Sequence, residues 1–149
     1  MPEHFKYIAA SYLLLINDGN ILLQRRYNTG FMDGWYGLPS GHLDGGETAR
    51  EGGSREFKEE LGIRIDPEDL SMVHVMHRKA RNDERIDFFM TTKRYEGTIE
   101  NREPHKCDDL RWCPPDALPE NTIDYIVTAI KAFRDGEFYS EFGWSRHTG

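Results

Sequence analysis

The segment from Thr48 to Gly62 constrains the fold more than any other part of the chain, because it carries the signals for both ends of a helix. Thr48-Ala49-Arg50-Glu51 fits a capping box, in which a threonine hydroxyl and a glutamate three residues on satisfy exposed backbone amides. Gly62, just past Leu61, supplies the stop. At about 100° per residue, Glu56, Glu59 and Glu60 share about a third of the circumference, and Phe57 and Leu61 beside them turn toward a core. Like charges spaced i,i+4 destabilise a helix by about 0.2–0.5 kcal/mol a pair. Gly52 and Gly53, inside the helix, together cost about 2 kcal/mol relative to alanine. An acidic stripe is ordinarily a solvated face. The alternative is that divalent cations sit between the side chains, since hard oxygen donors suit Mg²⁺ or Mn²⁺. Two features favour cations. The glycines allow a backbone or a substrate to come close, and the loop Gly41-His42-Leu43-Asp44-Gly45-Gly46-Glu47 adds a carboxylate near the helix start.

Around this helix the chain reads as one α/β domain of 149 residues, with a core of about 5–134 and an aromatic tail at 135–149. Strand-like runs at Tyr7–Ile16 and Ile21–Arg26 flank Asn17-Asp18-Gly19-Asn20, a hairpin signal. The segment from Tyr27 to Gly46 predicts a long ordered loop with one short strand. Further strands are expected at Met72–His77, Ile86–Tyr95 and Leu110–Cys113, and a second helix at Ile123–Phe133 with Asn121 or Thr122 as its cap and Gly136 at its end. Phe138–Trp144 reads as a tail packed on the domain. Strands with one helix among them and one late predict a layered α/β architecture.

Charge narrows the function. A net charge of -7, from 19 basic and 26 acidic groups, argues against stable binding to nucleic acid or an anionic membrane. Cys107 and Cys113 alone read as reduced thiols rather than a disulfide framework. His105 and these cysteines lack the paired spacing of a zinc site, and His74 and His77 fall on opposite faces of a strand. The Tyr12–Ile16 run is too short to span a membrane, and Met1-Pro2-Glu3-His4 lacks a signal peptide's basic stretch; the expectation is a soluble, cytoplasmic protein.

Gly41, Glu47 and Arg55-Glu56-Phe57-Lys58-Glu59-Glu60-Leu61-Gly62-Ile63 together resemble the Nudix box of MutT-like hydrolases, with every fixed position of the 41–63 window filled. Leu22-Leu23-Gln24-Arg25-Arg26 and Trp35–Pro39 resemble the family's approach to that box. The resemblance implies an α/β/α sandwich around a mixed sheet and Mg²⁺-dependent hydrolysis, with Mn²⁺ as a substitute, of a nucleoside diphosphate linked to a group X. It implies Glu56, Glu59, Glu60 and the Gly41 carbonyl as metal ligands. Arg55 matches a residue that holds a box carboxylate, and Glu47 a structural or outer-shell group. Ser40 departs from the pattern, because many members have glycine there, and this puts the loop's close contacts in question.

Outside the box, Arg26 is similar in position to a nucleotide contact of MutT-like enzymes, and is otherwise a surface arginine; Asn121 resembles an asparagine that reads a purine edge in such enzymes, and is otherwise a helix cap. The resemblance implies a loop glutamate that assists as base or extra metal ligand, for which Glu103 is the candidate, with Asp108, Asp109 and the box glutamates as rivals that spacing does not separate; the catalytic set it implies is then Glu56, Glu59, Arg55 and Glu103. Arg78-Lys79-Ala80-Arg81 with Arg85 reads as a solvated hairpin tip, or as a basic patch that steers polyphosphates. The leading expectation is a small-molecule (d)NTP pyrophosphohydrolase that releases a nucleoside monophosphate, with oxidised purine nucleotides included. ADP-ribose, dinucleotide polyphosphates and nucleotide sugars are the alternative substrates. A catalytically silent ligand-sensing module is disfavoured by the complete carboxylate set. Exposed strands and the aromatic tail would permit a homodimer.

Overall fold

The computed structural model describes residues 3–145. Met1-Pro2 of the N-terminal reading and 146–149 of the tail lie outside the described residues. The order is β1 (Ile8–Leu13), β2 (Ile16–Asn17), β3 (Asn20–Arg26), β4 (Tyr36–Gly37), β5 (Ser40–His42), α1 (Ala49–Leu61), β6 (Ser71–Lys79), β7 (Glu84–Thr91), β8 (Cys107–Cys113), α2 (Asp124–Arg134) and β9 (Tyr139–Phe142). One sheet runs β5-β1-β7-β6-β9 and is mixed, with β1·β7 and β6·β9 parallel and the other pairs antiparallel. The second sheet gathers β2, β4 and β8 antiparallel around β3.

Alternation along β1 and its extension explains the layers. Leu13 and Leu15 point to the side of Phe57 and Leu61 of α1, whereas Ala10, Tyr12 and Leu14 join Ile126, Ala129 and Ile130 of α2. The mixed sheet therefore lies between the two helices, as an α/β/α sandwich requires. No helix among the described residues is long and apolar enough to cross a membrane.

The helix signals operate as read: Thr48 and Glu51 close the capping box, and Gly62 ends α1 in the left-handed region at φ 74°. At the hairpin, Asp18 and Gly19 have φ of 51° and 79°, the pair of positive values that a tight reversal between twisted strands demands.

Several expectations need correction. Tyr7–Ile16 is not one strand: Leu13 and Leu14 donate to Pro39 and Met90, and Leu15 accepts from Leu22, so the chain passes from one sheet to the other. The 27–46 segment holds two short strands, β4 and β5; β7 ends at Thr91, and β8 begins at Cys107. Neither Asn121 nor Thr122 caps α2, whose N-cap is Ile123 without a side-chain bond. Residues 121–123 are instead paired with Tyr36, whose N–H donates to Asn121 O and whose carbonyl accepts from Ile123, and this delays the helix. The tail contributes β9, beside which His74 bonds Glu137 O at 2.8 Å and Ser140 Oγ at 2.7 Å. Arg78 belongs to no solvated tip or basic patch: it is buried, with Nε donating to Asp87 at 2.7 Å and its guanidinium 3.7 Å from the Tyr125 ring centre. Arg85 is engaged by Asp83 at 2.8 Å. Cys107 and Cys113 are both buried and free.

Candidate active site

The end of β3, the strand β5, the outer face of α1 and the 101–107 turn enclose a cleft of about 410 Å³. Glu56, Glu59 and Glu60 line it from α1, Gly41 from β5, Gln24 and Arg26 from β3, and Glu103 and Lys106 from the turn. The turn is fixed by its own hydrogen bonds: the Lys106 and Cys107 N–H groups donate to Glu103 O, each at 2.9 Å, and the Asn101 side-chain amide donates to Cys107 O at 2.6 Å.

The carboxylates differ in environment. Burial pushes the Glu60 carboxyl well above the usual glutamate range, and the charges of Glu103 and Glu56 push the same way. The Ser40 N–H at 3.0 Å and the Gln24 amide at 3.5 Å only partly offset this. Burial likewise raises Glu56, with Arg55 pulling its pKa down and Glu59 and Glu103 pushing it up. Glu59 is the exposed member. The Ser40 contact to Glu60 comes from the backbone, so the departure from glycine at that position leaves this bond unaffected.

Arg55 ties the box together. It reaches Glu47 through Nη2 at 2.7 Å and Nε at 3.2 Å, Glu56 at 2.9 Å, Asp44 at 3.3 Å and Glu59 at 3.7 Å. Its hydrogen bonds, with the Asp44 N–H, hold the Glu47 carboxyl below its ordinary value. Gly52 and Gly53 make room for side chains, rather than for the backbone or substrate that the sequence suggests. A Cβ on Gly52 would strike Leu43 and Glu47, and one on Gly53 would meet Met90 at 2.9 Å.

The three rival bases separate. Glu103 lines the cleft, whereas Asp108 is held by Arg25 at 2.7 Å and Asp109 receives the Tyr36 hydroxyl, and neither lines it. Arg26 lines the cleft but is partly engaged, donating to Phe31 O at 2.6 Å and Thr29 Oγ1 at 3.2 Å. Asn121 is outside the lining, and its amide donates to Gly34 O at 2.8 Å. Gln24, Thr29, Asn101 and Lys106 are lining residues the sequence reading missed. Gln24 stood within reach of notice, since it lies between Leu22-Leu23 and Arg26, in the run that leads to the box.

Among the described residues no three carboxylates converge on one metal-sized point. The donor set nevertheless fits a hard divalent cation: it is all oxygen, partly desolvated and mutually repelling, with Arg55 the cation bonded to Glu56. Gly41 tests this packing. A Cβ there would overlap the Glu56 carboxyl group, the movable end of a side chain rather than backbone. Gly41→Ala is therefore expected to keep the fold while displacing Glu56, lowering kcat/KM at least about tenfold with little change in thermal midpoint.

A family match, on top of this fold, identifies a hydrolase. The family model described as NUDIX domain matches residues 6–133, and the chain belongs to the Nudix family, whose members generally use divalent metal ions. It is 24% identical to an RNA pyrophosphohydrolase of Erythrobacter litoralis (strain HTCC2594), covering 89% of this chain and 93% of that one. It is 27% identical to a protein of Bacillus subtilis (strain 168) named "Putative 8-oxo-dGTP diphosphatase", covering 87% and 82% respectively. A MutT NUDIX hydrolase from Burkholderia pseudomallei shares the fold with a TM-score of 0.77 at 24% identity, over 85% of this chain and 97% of that one.

Proposed function

We propose that this protein is a Mg²⁺-dependent pyrophosphohydrolase of nucleoside triphosphates, deoxy or ribo, with oxidised purine nucleotides among its substrates. The observation that carries the reading is the meeting of Glu56, Glu60 and Glu103 beside Arg26 in one cleft. The Bacillus subtilis relative's name supports it.

Glu56, Glu59, Glu60 and the Gly41 carbonyl would hold the cation. When bound, Mg²⁺ inverts the local charge, polarises phosphoryl oxygens and lowers the pKa of water. Glu103 takes the proton of the attacking water. The water oxygen joins phosphorus as a phosphoanhydride P–O bond breaks, giving nucleoside monophosphate and pyrophosphate. Arg55 acts as a positioning residue: its bonds to Glu47 and Glu56 fix one carboxylate against the other. Arg26 offers a planar fork to a phosphate.

A second reading, hydrolysis at the 5′ triphosphate of RNA, is favoured by the Erythrobacter relative's name. The net charge of -7 opposes a long polyanion. One panel separates the readings: dGTP, 8-oxo-dGTP, ATP, ADP-ribose, a diadenosine polyphosphate and a 5′-triphosphorylated RNA, each scored for pyrophosphate and phosphate. Pyrophosphate with a nucleoside monophosphate is expected from the triphosphates. EDTA should abolish turnover and added Mg²⁺ or Mn²⁺ restore it; turnover in EDTA defeats the metal assignment.

A further inference from the structure

Beyond the rim of the cleft, three aromatic side chains stand in water: Tyr27, Phe31 and Trp35 are 48%, 51% and 38% exposed. They occupy the connection between β3 and β4, and that connection is ordered by its own bonds. The Asp33 carboxylate accepts from the Thr29 and Gly30 N–H groups, each at 2.9 Å, and from the Thr29 hydroxyl at 2.6 Å. Arg26 pins the Phe31 carbonyl through Nε, and its guanidinium carbon lies 5.3 Å from the Phe31 ring centre. Arg26 and Thr29 also form part of the cleft wall. An aromatic ring braced by a cation thus adjoins two residues of the cleft wall, Arg26 and Thr29.

We infer that Phe31, with Trp35 on the same loop, is the stacking platform for the base of the substrate. The assignment rests on the nucleotide reading above and adds to it the residues that grip the base. Phosphates and ribose are strongly hydrated, so the base is the one flat, weakly hydrated surface such a substrate presents to an exposed ring. The loop is held before any ligand arrives, so little ordering cost attends binding.

The test is kinetic. Base–aromatic stacking corresponds to about a 5- to 150-fold change in affinity. The Phe31→Ala/Trp35→Ala protein is expected to show a rise of that size in KM for nucleoside triphosphates, with kcat within about threefold of the parent. The rise is larger for purines, whose rings overlap more. Phe31→Tyr/Trp35→Phe restores KM. An unchanged KM in a parent that turns over nucleotides overturns the platform alone. A fall in kcat that tracks a lowered melting temperature, with no rescue by the conservative pair, overturns it as a mere structural role. A parent that hydrolyses no nucleotide overturns the reading of the site and this assignment with it.

Discussion

Glu56→Gln is expected to lower kcat/KM at least about 100-fold at saturating Mg²⁺ while the metal-free protein unfolds no earlier than the parent. The two effects have opposite signs for one reason. Glu56 is partly buried and sits near Glu59 and Glu103, whose charges oppose its ionisation, so removing its charge relieves repulsion. The glutamine keeps an oxygen for Arg55 Nη1, which stands 2.9 Å from the carboxylate in the parent. What is lost is the negative charge that would hold a cation. Initial rates, isothermal titration with Mg²⁺ and a thermal melt read the three quantities separately. Retention of more than about a tenth of the parent activity would remove Glu56 from the ligand set.

The largest stability effect is expected at a pair that does not line the cleft. Asp87 is fully buried and receives Arg78 Nε at 2.7 Å, and the same guanidinium lies 3.4 Å from the Tyr12 hydroxyl and over the Tyr125 ring. Burial is the largest single influence and works against the Arg78 charge, but the hydrogen bond to Asp87, together with the electrostatic pull of Tyr12, Tyr125 and Asp87, outweighs it. An arginine cannot shed its proton to escape. Asp87→Ala strands that charge in the core, at a cost of about 3–5 kcal/mol, a large share of the roughly 5–15 kcal/mol that holds a domain folded. Urea titration measures it. Asp87→Leu/Arg78→Met, which removes both charges, should recover most of the loss. A single-variant loss under about 1 kcal/mol would mean that water or another carboxylate takes over the pairing.

These two sites mark how much could be read in advance. The helix α1 was legible because its signals are local: Thr48 with Glu51 at one end, Gly62 at the other, and a face shared by glutamates and apolar residues. The Asp18-Gly19 hairpin was legible on the same grounds. The passage between sheets at Leu14 and Leu15 was not, because an apolar run looks continuous until its partners Met90 and Leu22 arrive from elsewhere. Arg78 was misread among Lys79 and Arg81, although alternation from Met76 would have placed it on the buried face. Its partners, Asp87 and Tyr125, come from other elements. At the candidate site, the box positions were visible in sequence. That Glu103 lines the cleft while Asp108 and Asp109 do not could not be read in advance, because it depends on the Arg25 salt bridge and the Tyr36 hydroxyl, which engage the other two from distant strands.

The passage of the chain from one sheet to the next has a consequence for how this enzyme can change. Gln24 and Arg26 stand on one sheet and Ser40 and Gly41 on the other, with Glu60 bonded to a member of each. The cleft is thus a seam, and Leu13 of one sheet and Leu22 of the other share an apolar cluster with Phe57 and Leu61 of the helix that carries the glutamates. Substitutions at these interior leucines are therefore expected to shift the spacing between the groups that line the cleft, which a comparison of kcat/KM for larger and smaller nucleotides would measure.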